Sequence, residues 1–226
     1  LRAIIAVHLN GDSVDMRFIN KLAKRYRLKV IEDAAQAFYS KNDRGFLGTQ
    51  SEIGCFSLGI VKFITTGQGG FLAVREKGLY DKLVKFRSHG VVSTFAAPAY
   101  DRFGFNLKFN DVLASMGLAQ MKRIEKKARA HRRVYDFYKK ELTGLGCIRL
   151  TPFDQTQGQI PLYVEALAPE REKLMKFLEK RGIQTRPFLP NLHVSPHLGN
   201  QSRKFPNSTP FAEQGLFLPC GPDLPL

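Results

Sequence analysis

The sequence predicts an α/β fold, a mainly parallel sheet with helices on both faces, followed by a smaller α+β block. Three observations carry that expectation. An apolar run at residues 3–9 closes on the turn Asn10-Gly11, and a helical period starts just after it. A second apolar run at residues 29–31 then follows, so strand, helix and strand succeed one another as in a right-handed crossover unit. The chain opens on Leu1 with no methionine, directly before the first run, so it reads as a fragment of something longer.

Between the two runs, Asp12 or Ser13 is placed to cap a helix. Phe18, Ile19, Leu22, Ala23 and Tyr26 make its apolar face, and Arg17, Lys21, Lys24 and Arg25 the other. Asp33 falls just past the carboxyl end of the second strand, where open α/β sheets gather ligand-binding groups. An acid there is suited to a cationic ring nitrogen. Residues 55–58 and 71–74 read as two more strands around a loop that carries Lys62, Thr65, Thr66 and a cluster of glycines. Apolar neighbours on both sides would hold Lys62 at a strand end and favour the neutral amine that carbonyl chemistry requires. The plainer alternative is an exposed lysine in a glycine-rich hairpin. Alternation puts Ser57 on the face opposite Phe56 and Leu58, where its hydroxyl can donate to a phosphate oxygen. Gly67, Gly69 and Gly70 suit a tight turn rather than direct chemistry.

An amphipathic segment at residues 77–87, with Leu79, Leu83, Val84 and Phe86 apolar, closes on Ser88-His89-Gly90. His89 is a candidate acid or base, or a helix-end residue bonded to backbone. Residues 91–103 lack periodicity, carry Pro98 and read as a long loop, a kind that tends to be functional. Asn106 stands at the entry to a helix spanning 110–142, continuous or bent. Its second part is rich in lysine and arginine. In a chain of net charge +15 and pI near 9.9 this raises a nucleic-acid-binding alternative. Against it, the basic residues alternate with Ile124, Ala128, Val134, Tyr135 and Tyr138 at helical spacing, and no nucleic-acid-binding motif accompanies them.

The composition shifts past Gly144 and Gly146, and the expected boundary lies near His131, giving domains 1–130 and 131–226. Strands are expected at 147–150, 159–167 and 183–186, with a helix opening at Pro169 whose Leu174, Phe177 and Leu178 face inward. His193 and His197 stand four apart, but Pro196 between them spoils a helical metal pair, so no metal site is expected. Three cysteines without metal-ligand spacing fit reduced thiols. No run of eighteen apolar residues and no leader appear, so the expected location is cytoplasmic, with no membrane partner.

Four ordered motifs go further: EDAAQA at 32–37, CFSLGIVKFITTGQGG at 55–70, FRSHG at 86–90 and GFNLKF at 104–109. Together they resemble the DegT/DnrJ/StrS-type nucleotide-sugar aminotransferases, which are fold-type I pyridoxal-phosphate enzymes. The resemblance implies a partial large cofactor domain, lacking an upstream phosphate-binding turn, and a small C-terminal domain. It implies pyridoxal 5'-phosphate as cofactor, with Lys62 and Asp33 catalytic, Gln36 beside the ring hydroxyl and Ser57 on the phosphate. It also implies a homodimer with shared active sites, Asn106 reaching the phosphate of the neighbouring subunit. His89, Arg186 and His193 are then substrate-binding residues. The substrates implied are a keto-deoxysugar on a nucleoside diphosphate and an amino-acid donor, L-glutamate, in cell-surface polysaccharide or glycosylated-metabolite biosynthesis. Lys108 stands where the family has arginine, keeping the charge and losing the bidentate fork. A related branch replaces the lysine by histidine and dehydrates sugars, and Lys62 argues against it. The alternatives are a truncated non-catalytic family member, a basic nucleic-acid binder, and another enzyme using Lys62 as a Schiff base.

Overall fold

A computed structural model describes residues 1–93, 95, 99–199 and 204–225; Pro98, expected within the long loop, lies outside the described residues. The chain forms two compact units, 1–126 with 155–160, and 127–154 with 161–226.

In the first unit, β1 (Ala3–Val7) leads through a turn at Leu9–Gly11 to α1 (Met16–Tyr26) and β2 (Lys29–Asp33). The cap of α1 is Asp15, whose carboxylate accepts from the Phe18 N–H at 2.9 Å, rather than Asp12 or Ser13. The other two candidates are engaged elsewhere: Asp12 Oδ1 accepts the Ser13 N–H at 2.8 Å, and Ser13 Oγ donates to the Val14 carbonyl at 3.0 Å. The helix ends at Arg27, left-handed at φ 52, whose N–H closes the last turn on the Ala23 and Lys24 carbonyls. Met16 and Ala23 of α1 pack with Ala6 and Val30 of the sheet.

A small hairpin, β3 (Lys41–Asn42) and β4 (Gly45–Phe46), precedes β5 (Ile53–Ser57) and β6 (Gly70–Val74). The main sheet runs β1-β2-β5-β6, with β1, β2 and β5 parallel and β6 antiparallel at the edge. Ala34, Ala37, Leu47 and Phe56 form a second core, and the Phe56 ring stacks on Phe71 at 4.6 Å. Two glycines are fixed by close approach: a Cβ on Gly54 would lie 1.7 Å from the Gly48 carbonyl oxygen, and one on Gly48 would lie 2.4 Å from the Phe56 ring. Helix α2 (Lys77–Arg87) follows, then α3 (Asp111–Met121), capped by the Asn110 side chain on the Leu113 N–H. The long basic helix is therefore two helices. It breaks where Arg123 N–H bonds the Gln120 carbonyl in a three-residue turn, and α4 (Ile124–Leu142) restarts the chain.

The second unit takes most of α4, then β7 (Arg149–Leu150), β8 (Val164–Leu167), α5 (Arg171–Glu179), β9 (Arg186–Pro187), the short α6 (Thr209–Gln214) and β10 (Gly215–Leu218). Its sheet is antiparallel, ordered β7-β8-β10-β9. Val134 and Tyr135 of α4 pack on Ile148, Val164, Ala166, Leu216 and Leu218. The expected strand at 159–167 shortens to β8 because residues 155–160 belong to the first unit, where Ile160 N–H donates to Ser40 Oγ at 2.9 Å. On α5 the inward residues are Leu174 and Met175, whereas Phe177 is exposed with the Arg181 guanidinium 3.6 Å above its ring. On α4 the basic residues Lys126, Arg129, Arg133, Lys139 and Lys140 are exposed, opposite the buried Ala128, His131, Val134 and Tyr135. No helix among the described residues is long and apolar enough to cross a membrane, and no cluster of His, Cys, Asp or Glu there could hold a metal ion.

Candidate active site

The carboxyl ends of β2 and β5 are neighbours in the parallel part of the sheet. Asp33, the last residue of β2, pairs in register with Val7 on one side and Cys55 on the other. Its backbone is fixed from both strands: the His8 N–H donates to the Asp33 carbonyl at 3.0 Å, and the Ala34 N–H to the Cys55 carbonyl at 2.9 Å. Its half-buried carboxylate accepts the Ala35 N–H on Oδ1 at 3.0 Å. Registered partners in a sheet share a face, so Asp33, Cys55 and, two residues on, Ser57 project from the same side. Burial pushes the Cys55 thiol up, and the negative charge of Asp33 pushes it further.

Ser57 ends β5, and the chain turns at Gly59 into the loop that carries Lys62. Gly59 N–H donates to Ser57 Oγ at 3.2 Å, and Lys62 N–H to the Gly59 carbonyl at 3.0 Å. A Cβ on Gly59 would meet Ser57 Oγ at 3.4 Å and Lys62 Cγ at 3.9 Å, so the hydroxyl and the lysine stem converge on that glycine. The loop is pinned at both ends. Leu58 N–H bonds the Gly69 carbonyl and Thr66 N–H the Leu58 carbonyl, while Phe63, Ile64 and Thr66 are buried. Helix α3 clasps it from outside: Gln120 Oε1 accepts the Thr65 N–H at 3.3 Å, and its Nε2 donates to the Thr65 carbonyl. Lys62 itself is half-buried.

Gln36, half-buried after β2, accepts the Asn10 N–H on Oε1 at 2.8 Å, which ties it to the turn after β1. His89 occupies the left-handed region at φ 59 at the end of α2, its backbone N–H on the Phe105 carbonyl at 2.9 Å and its ring half-buried. Asn106 is exposed and forms an antiparallel bridge with Ser88, flanked by Phe105 N–H to the Phe86 carbonyl and Leu107 N–H to the Arg87 carbonyl. Three residues later the Phe109 ring lies where a Cβ on Gly69 would be, 2.5 Å away, so the Asn106 segment runs against the glycine end of the Lys62 loop. Arg186 and His193 belong to the second unit. There the exposed Arg186 guanidinium lies over Phe217 at 4.6 Å and Tyr163 at 6.0 Å, and the half-buried His193 ring is 4.5 Å from Phe205.

One feature of the site is absent from the sequence-based reading. His8 and Glu32 are wholly buried, with His8 Nε2 3.0 Å from Glu32 Oε2. Glu32 shares a strand face with Val30, and that alternation is the available signal, since a charged group on a core face needs partners; it does not say which.

A sequence model of the DegT/DnrJ/EryC1/StrS aminotransferase family matches residues 1–226. The chain belongs to that family. Among its relatives is the GDP-perosamine synthase of Escherichia coli O157:H7, 33% identical over 225 residues, which cover 99% of this chain and 61% of the relative. Among solved structures, the aminotransferase TlmJ from Streptoalloteichus hindustanus superposes with a TM-score of 0.91 at 26% identity, over 99% of this chain and 62% of that one. DesV of S. venezuelae, solved in complex with a ketimine intermediate, gives the same TM-score and identity over 99% and 61%. The fold is thus α/β of the fold-type I aminotransferase kind, and the chain spans about 61% of the length of the family members it matches.

Proposed function

We propose that the protein is a pyridoxal-phosphate-dependent transaminase that moves an amino group from an amino acid, L-glutamate, to a keto-deoxysugar carried on a nucleoside diphosphate. The observation that carries this reading is the placement of Asp33 and Ser57 at the carboxyl ends of adjacent parallel strands, with the Lys62 stem converging on Ser57 at Gly59. The donor set suits the cofactor. Asp33 Oδ1 is committed to Ala35 N–H, and Oδ2 is the acceptor left for a pyridinium N–H. The Ser57 hydroxyl, already accepting from Gly59 N–H, keeps its own proton to donate to a phosphate oxygen.

When bound, the cofactor supplies an electron sink for the bonds broken at the amine-bearing carbon. The chain supplies the rest. Asp33 keeps the ring nitrogen protonated. Gln36 would lie beside the ring hydroxyl, and Lys62 Nζ would hold the cofactor and supply the group that accepts and returns the proton at the amine-bearing carbon. His89, Arg186 and His193 bind the sugar nucleotide, whose diphosphate suits a chain of net charge +15. The enzyme works as a homodimer in which Asn106 completes the phosphate site of the neighbouring subunit. The exposed apolar side chains Phe103, Leu107, Val112 and Leu118, 60–73% accessible and close in sequence to Asn106, support the pairing of two copies. The reaction belongs to polysaccharide or glycosylated-metabolite biosynthesis in the cytoplasm.

The test is optical. The protein incubated with pyridoxal phosphate develops a yellow band that Lys62→Ala abolishes. Glutamate then bleaches the band, and a keto sugar nucleotide restores it. A wild-type protein with no Lys62-dependent band would sink the reading.

A further inference from the structure

Glu32 faces away from the site. Strand alternation sends its side chain to the side of the sheet opposite Asp33, and it is wholly buried there. Donors from separate stretches of chain converge on it, the Ser51 side chain among them. Oε2 accepts His8 Nε2–H at 3.0 Å and Gly48 N–H at 2.8 Å, and Oε1 accepts Gln50 N–H at 2.7 Å. His8 Nδ1 faces the Val14 N–H at 3.4 Å, which assigns the ring proton to Nε2.

These contacts bear on Asp33 in two ways. First, His8 grips both residues of the Glu32-Asp33 pair, the carboxylate of one through its ring and the carbonyl of the other, at 3.0 Å, through its backbone N–H. Second, the ladder between β2 and β5 has only three registered pairs, Ile31 with Ile53, Glu32 with Gly54 and Asp33 with Cys55. Glu32 is the middle one. Because Gly54 has no side chain, the Glu32 carboxylate reaches past it to Gly48, whose carbonyl oxygen lies where a Gly54 Cβ would be. Gly48 and Gln50 lead directly into β5, which ends at Ser57 and turns toward Lys62. A slip of one residue in so short a ladder would turn Asp33 to the other face of the sheet.

We propose that Glu32 and His8 form a buried positioning pair that locks β1, β2 and β5 in register, so that cofactor binding on one face depends on a carboxylate on the other. The proposal rests on the transaminase reading. It makes Glu32 neither a catalytic residue nor a ligand: it acts through Asp33 and through the strand that delivers Ser57 and Lys62.

Glu32→Gln tests it in the complete protein, because the variant keeps the shape but turns one oxygen into an N–H2 group facing backbone donors. Three quantities are measured: the dissociation constant for pyridoxal phosphate, the pH midpoint of the bound chromophore, and the thermal midpoint without cofactor. Asp33→Asn serves as reference. Glu32→Gln is expected to weaken cofactor binding at least tenfold and to move the chromophore midpoint in the same direction as Asp33→Asn, with the Lys62-dependent band still forming. A variant that only melts earlier, with wild-type affinity and midpoint in the folded protein, would overturn the proposal and leave a structural pair. If Glu32→Gln does not fold, His8→Gln takes its place, since the backbone bond to Asp33 survives. A severalfold loss of affinity supports the pair, and none overturns it. A wild-type protein lacking the Lys62-dependent band overturns the transaminase reading itself, a result distinct from either.

Discussion

In the first unit a carboxylate and an imidazole, Glu32 and His8, are completely buried beneath a mainly parallel sheet, whereas the antiparallel sheet of the second unit buries Val164, Ala166 and Leu216 against helix α4. The other face of the first sheet is as telling. Ile5 and Val7 are 65% and 44% exposed on the side where Asp33, Cys55 and Ser57 project, so the candidate site residues and open apolar surface share one face. Among the described residues, the core cluster of the second unit is made of apolar side chains and Tyr135. Its residues answer mainly to packing, and those of the first sheet to the geometry of a site. Mutations should therefore differ in kind between the units, and not only in size.

The strongest separation is expected from Lys62→Ala. Lys62 sits on a loop held by Phe63, Ile64 and the Thr65–Gln120 bonds, none of which involve its side chain. Turnover should fall on the order of 10⁴-fold, the scale of losing a positioned base, while the unfolding midpoint of the cofactor-free protein stays within error. Leu216→Ala should do the reverse. Its side chain is fully buried in the second unit's core, and large-to-small truncations there cost about 2–5 kcal/mol. Denaturant unfolding should register that loss, while the affinity of the folded protein for pyridoxal phosphate is unchanged. If Leu216→Ala weakened cofactor binding as much as stability, the contrast between the units would be wrong.

The strand-end positions of the candidate site residues were more legible in the sequence than the packing. Asp33, Ser57 and Lys62 stand where strand periodicity ends and glycine-rich turns begin, and position along a strand fixes which edge of the sheet a residue reaches. Partners distant in sequence were not legible. His8 and Glu32 are 24 residues apart, and nothing local pairs them. The cap of α1 is not legible because Asp12, Ser13 and Asp15 are all competent caps; the structure uses Asp15 and engages the other two in local bonds. On α5, Leu174 and Leu178 fix a stripe that either Met175 or Phe177 can widen, and the helical period alone does not choose between those flanks.

Between these extremes lies a pH effect confined to the second unit. His131 is buried, with Nδ1 3.1 Å from the Pro161 carbonyl. Burial lowers its pKa below the ordinary 6.5; the carbonyl bond opposes this, and nearby Lys127 adds to it. The unfolded chain thus takes up a proton at a higher pH than the folded one. The contribution of His131 is fully present above pH 6.5 and is lost as pH falls from there toward the folded value, by at most about 1.4 kcal/mol per pH unit. His131→Gln should flatten that part of the stability profile. Glu32, in the first unit, acts in a lower window. Burial raises its carboxyl, but bonds from His8, Ser51, Gly48 and Gln50 outweigh that and hold it below the usual 4.5, so its contribution is lost only in stronger acid.

The smallest effect is expected at Phe177, and it is informative because the helical pattern placed this residue inside. An inward phenylalanine truncated to serine would cost several kcal/mol, about the 3–5 seen for large aromatic deletions. Phe177 is instead 51% exposed, with Arg181 lying over its ring, so the serine variant gives up one surface cation–π contact, about 0.5–1 kcal/mol. Urea unfolding of Phe177→Ser beside Met175→Ala distinguishes the two arrangements of α5. The methionine variant should lose more, because Met175 packs against the core of the second unit. The opposite order would mean that α5 is rotated by roughly 60° around its axis from the face described, toward the Phe177 flank.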